Sequence, residues 1–63
     1  MTTIYNVLVV DEYGKEIDRI ETAINPIGTG SITTKKGYYV VHETAVDYVR
    51  NEIVIHTENY DIF

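Results

Sequence analysis

The chain holds no cysteine and no tryptophan among its 63 residues, with a single proline and four glycines. Lack of cysteine rules out disulfide staples and thiolate zinc sites together, and it fits a reducing cytoplasm, the expected location. No apolar run approaches the roughly 18 residues that a membrane helix needs. Nor does a basic segment followed by an apolar stretch open the chain, so no secretory signal and no membrane association are expected. Bases are scarce: five against ten acids, a formal net charge of −5. The imbalance is uneven. Residues 1–34 hold five acids and two bases, residues 35–42 only Lys35 and Lys36, and residues 43–63 five acids and one base. Such charge keeps a protein in solution, and it also attracts a basic partner such as a nucleic-acid-binding protein or its cationic groove.

Catalytic and cofactor motifs are missing too. Gly28-Thr29-Gly30-Ser31 lacks the lysine-serine ending of a phosphate loop and precedes no convincing helix, so it reads as a flexible connector. Ser31 and the threonines have no strand–turn–helix elbow around them, and deep pockets are hard to build at this size. No enzymatic activity and no cofactor are expected. His42 and His56, the only histidines, would hold zinc with Glu58 if their strands lay side by side, although paired histidines on sheet surfaces are commonly incidental. Lys35 and Lys36 with Tyr38 and Tyr39 would suit stacking on a nucleic acid. Two lysines on so acidic a chain make a poor electrostatic funnel, which disfavours direct nucleic-acid binding.

What the chain does have is tyrosine, six of them, at positions 5, 13, 38, 39, 48 and 60. A large ring with a polar tip suits half-buried sheet faces and the centres of binding surfaces. The length allows one domain, residues 1–63, and the start at Met1 without a tag-like segment suggests a complete small protein. A chain this short buries only about 60% of its unfolded surface, so a well-knit sheet or an oligomer, a homodimer for instance, has to supply the rest.

Thr3 to Val10 is apolar on both alternating faces, as a strand near the middle of a sheet or inside a barrel would be. Asp11 to Glu16 makes a hairpin loop. Glu16 to Ile24 spaces Ile17, Ile20 and Ile24 like a helix face, yet its β-branched residues and the preceding hairpin favour a strand with a bulge between Ile17 and Ile20. Asn25-Pro26 ends it. Lys35-Lys36-Gly37 reads as a three-residue hairpin loop between Ser31–Thr34 and Tyr38–His42. Glu43 to Arg50 reads as a strand, with a short helix capped by Thr44 as the alternative, and Asn51 suits a left-handed turn before a last strand over 52–57.

The expected fold is all-β: a small antiparallel sheet or open barrel of five to six short hairpin-connected strands. A sheet with one short helix at about 43–50 is the alternative. The expected function is a non-enzymatic protein–protein interaction module, a small acidic inhibitor or regulator that binds a host or cognate protein. In size and charge alone it is like the small inhibitors of phages and mobile elements, some of which mimic a row of phosphates. Contacts are expected from Tyr13, Tyr38 and Tyr39 with Asp11, Glu12, Glu16 and Asp18, aromatic anchors ringed by steering charges. Tyr5 and Tyr48 read as structural. Two rival classes are a structural β module that assembles through strand edges and, more weakly, a binder of nucleic acid or a small ligand. The apolar tail Asn59–Phe63 is expected to dock on the core or on a second copy.

Overall fold

Val7, Val9, Ile53 and Ile55 form the buried centre of the protein, and they come from the two segments richest in aliphatic residues. The computed structural model describes residues 2–58; the tail expectation falls outside them. Five strands form one sheet: β1 (Tyr5–Val10), β2 (Glu16–Thr22), β3 (Ser31–Thr34), β4 (Gly37–Asp47) and β5 (Glu52–Glu58). Their order across the sheet is β2-β1-β5-β4-β3, and it curls into a half-barrel, with no helix among the described residues. The all-β expectation holds, and residues 43–47 complete the long strand β4 rather than a helix.

One pairing departs from the expected antiparallel pattern: β1 and β5 run parallel, with Val7 opposite Ile53 and Val9 opposite Ile55. The reason lies in residues 23–30, which carry the chain from β2 at one edge to β3 at the other. The meander β3-β4-β5 then works inward from that far edge and meets β1 in the same direction. A two-residue loop cannot make such a crossing, so this connection is the longest in the chain. Its turns are local. Asn25 Oδ1 accepts from Ile27 N at 3.0 Å, Pro26 O accepts from Thr29 N at 3.2 Å, and Gly28 takes φ +86°.

Alternation sets the faces. Ile20, Val7, Ile53 and Val46 lie in one cross-strand row, and Val9, Ile55 and Thr44 lie in the next. Tyr5, Ile17, Ile20, Ile32 and Val41 pack on the buried centre from the flanks. Ile17 and Ile20 would point to opposite faces of a regular strand. Val9 pairs with Asp18 while Val10 pairs with Glu16, so Ile17 is the extra residue of a bulge, and both isoleucines reach the core. A second irregularity sets Val41 opposite Thr57 and Glu43 opposite His56, leaving His42 as the additional residue. Bulges strengthen local twist, which helps so few strands to curl.

The loops follow their residues. Thr34 pairs with Gly37, so the β3–β4 turn holds only Lys35 and Lys36, one residue shorter than expected, and Gly37 absorbs the reversal at φ +144°. The β4–β5 loop spans residues 48–51 and ends on Asn51 at φ +56°, the left-handed position expected of it. A side chain other than glycine or asparagine is disfavoured there by about 1–2 kcal/mol. Asn51→Ala should therefore lower stability by about 1 kcal/mol while Asn51→Gly is tolerated. Thermal melts of the two variants check this; equal melting temperatures would mean the loop relaxes.

Candidate functional site

Strand direction sorts the exposed groups to two ends of the sheet. The β1–β2 loop and the β3–β4 turn both follow the end at which Val10, His56 and Glu58 lie. The β4–β5 loop, the end of β2 and the residues before β1 lie at the opposite end.

Most of the expected contact residues are at or near the first end. Tyr13 projects from the β1–β2 loop with 86% of its surface exposed. Asp11 is spent partly on the loop itself: Oδ1 accepts from Tyr13 N at 2.9 Å and Lys15 N at 2.8 Å. Glu12 and Asp11 line a cavity with His42, His56, Thr57 and Glu58. Within it His42 Nδ1 and Glu58 Oε1 are 2.6 Å apart. Among the described residues, no cluster of three or more His, Asp or Glu is arranged to hold a metal ion. Glu16 Oε1 accepts from Arg19 Nε at 2.9 Å, and Asp18 Oδ1 accepts from the Arg19 backbone N. The hydrogen bond and charge of Glu16, with smaller help from the Glu52 charge, raise the Arg19 guanidinium above its already high ordinary pKa. Of the paired tyrosines on β4, Tyr38 is exposed. Tyr39 is half-buried against Gly37, and its hydroxyl donates to Lys36 O at 3.3 Å. So Asp11, Glu12 and Tyr13 are brought together, while Glu16 and Asp18 run along the β2 edge and Tyr38 stands on a separate hairpin.

The second end carries the larger apolar surface. Ile4, Tyr5, Ile27, Val46 and Tyr48 line one groove of about 390 Å³ with Asp47, Asn51, Glu52 and Ile53. Ile4, Ile27 and Val46 are exposed, and so is Val49 in the adjoining loop. Tyr48 is not the structural residue its neighbours suggest: it is 89% exposed at the start of the loop. Asp47 shapes that loop, its Oδ1 accepting from Val49 N at 3.0 Å and Arg50 N at 3.1 Å. Once the strand ends at Asp47, alternation no longer governs the next side chain, and Tyr48 turns outward with the chain.

Glu52 stands out chemically. Only 7% of its side chain is exposed, and Oε2 accepts from Arg19 Nη1 at 3.2 Å. Oε1 is buried and, among the described residues, has no hydrogen-bond partner. Such an atom is disfavoured by about 1–3 kcal/mol. Its cross-strand neighbour is Asp47, a like charge set directly opposite, which adds repulsion. Arrangements that oppose folding at one spot point to a use there. No signal in the sequence separates Glu52 from the other acids, because its burial depends on Arg19, 33 residues away along the chain.

No protein-family model, curated protein or solved structure matches this chain. Among the described residues no helix is long and apolar enough to cross a membrane.

Proposed function

We propose that this protein is a non-enzymatic protein–protein interaction module, a small acidic regulator or inhibitor of a basic macromolecular partner. We infer further that its principal contact surface is the end of the sheet around Tyr48. One observation carries this reading: Ile4, Ile27, Val46 and Tyr48 converge on one groove edged by Asp47 and Glu52. Exposed apolar side chains that cluster and are rimmed by charge mark interaction surfaces, whereas scattered ones do not. Tyrosine in such a place gives contact area with little side-chain entropy to lose, and carboxylates around it steer a cationic partner. The acids at the other end, Asp11, Glu12 and Glu16 with Tyr13, lengthen the range of that attraction.

The test uses the full chain as bait in a lysate of its source cells, beside a Tyr48→Ala/Val49→Ala variant and a Tyr13→Ala variant. These residues are exposed in loops, so folding should be unaffected. A protein captured by the wild type and by Tyr13→Ala should be lost from the Tyr48/Val49 variant by roughly tenfold or more. Its capture should weaken as salt rises. Identical capture by all three baits would remove this surface from consideration. The rival reading, a structural module, draws on the outer edges of β2 and β3, which have no strand neighbour among the described residues. Sedimentation that shows large, concentration-dependent assemblies would favour it.

A further inference from the structure

The groove beside Tyr48 has the makings of a site for one kind of chemical group. Its walls are mostly apolar and aromatic, from Ile4, Tyr5, Ile27 and Tyr48, with Asn6 and Asn51 among them, and Asp47 and Glu52 are its carboxylates. We propose that Glu52, with Asp47 and Tyr48, receives a cationic side chain of the partner, an arginine guanidinium above all. This rests on the reading of the same end as the contact surface.

Charge and hydrogen-bonding capacity argue for a cation. Glu52 Oε1 is a carboxylate oxygen with unused acceptor capacity, enclosed in a side chain more than nine-tenths buried. Arg19 satisfies only the other oxygen, from the neighbouring cavity that Glu52 also lines with Asn6 and Glu21. Glu52 lines both the groove and that cavity, so its carboxylate stands between the two, on a final torsion that is soft in glutamate. Arg50 does not fill this role, since its Nε lies 4.0 Å from Asp47 Oδ2 and its side chain is largely exposed. Around the groove and this cavity stand the carboxylates of Glu21, Asp47 and Glu52 against the guanidiniums of Arg19 and Arg50, which leaves the end acidic by one charge.

The walls argue for arginine rather than lysine. A guanidinium is planar, weakly hydrated and able to stack on a tyrosine ring while its N–H groups reach a carboxylate. An ammonium would surrender more hydration to enter an apolar groove. Flanking apolar residues on the partner would cover Ile4, Ile27 and Val46, so the recognised feature is an arginine between aliphatic neighbours.

A titration of the ¹⁵N-labelled full chain with acetyl-Leu-Arg-Leu-amide, followed by NMR, tests this directly. The amides of Tyr5, Tyr48, Asn51 and Glu52 should shift, and acetyl-Leu-Gln-Leu-amide should bind roughly tenfold more weakly or not at all. Glu52→Gln keeps the side chain's volume and should weaken the arginine peptide to a similar degree. Tyr48→Ala, a loop change, should weaken it without altering the fold. Equal shifts from the arginine and glutamine peptides would overturn the cation site and leave the apolar contact surface standing. No shift from either peptide would overturn the site as well, while the bait comparison still decides on the surface. Binding of the arginine peptide that survives in both Glu52→Gln and Tyr48→Ala would place the cation elsewhere and refute the assignment.

Discussion

Ile55→Ala should leave the protein largely unfolded at 25 °C. Ile55 sits in the middle of the central strand β5 with 0% of its surface exposed. It lies between Val9 on β1 and Thr44 on β4, in the middle of the pairing where the two halves of the sheet meet. Truncating a buried isoleucine to alanine costs about 2–5 kcal/mol, the lost transfer energy plus the cavity left behind. A core in a domain this small rarely supplies more than about 3–5 kcal/mol in all. The loss therefore matches the total. Circular dichroism with urea titration reads the result, and a cooperative melt within about 5 °C of the wild type would contradict it. Val49→Ala is the control. At 95% exposure it should stay within about 0.5 kcal/mol of the parent.

The same comparison shows which parts of this fold were legible in the residues and which were not. Local rules worked well. The two-faced apolar pattern of β1 placed it beside two other strands, and the spacing of Ile17 and Ile20 announced a bulge. Asparagine at position 51 announced a left-handed turn. Each of these is decided by a few adjacent residues. The parallel pairing of β1 with β5 is decided elsewhere, by where an irregular eight-residue connection, 23–30, delivers the chain. Alternation says which face a side chain takes and nothing about which strand stands beside it. The candidate site failed to show for the same reason. Tyr48 looked like a strand residue because its neighbours do, and one more residue of strand would have kept it so. Glu52 looked like any surface acid until Arg19 and Asp47 were folded against it. Tyr13 is legible as exposed from its loop position, and alternation says that one of Tyr38 and Tyr39 is exposed without saying that it is Tyr38. Convergence of Ile4, Ile27, Val46 and Tyr48 needs the whole topology.

Thr57→Val is expected to destabilise the protein by about 1–3 kcal/mol, the second largest effect among these changes. Thr57 is buried at 2% exposure, and its hydroxyl donates to the Val10 carbonyl at 2.8 Å across 47 residues of chain. Val10 lies beside the register shift between β1 and β2, where the regular ladder is broken. The hydroxyl thus satisfies a backbone acceptor next to the point where strand pairing turns irregular. Valine has almost the same shape and takes that hydrogen bond away from a carbonyl in a buried place. Thr57→Ser separates the contributions, because it keeps the hydroxyl and loses one methyl group, worth about 0.8 kcal/mol. Stability should fall in the order wild type, Thr57→Ser, Thr57→Val. The damage should also have a location. Asp11 follows Val10 directly and organises the loop that presents Glu12 and Tyr13. Amide hydrogen exchange in residues 11–15 should accelerate in Thr57→Val and change little in Thr57→Ser. If valine proves as stable as threonine, the Val10 carbonyl finds another donor, and the acidic loop is held by its own turn alone. If stability falls but exchange in the loop does not, the hydroxyl supports the sheet without fixing the orientation of the acids. Only the paired result, lost stability with a loosened loop, ties a core residue on β5 to the charged end of the molecule.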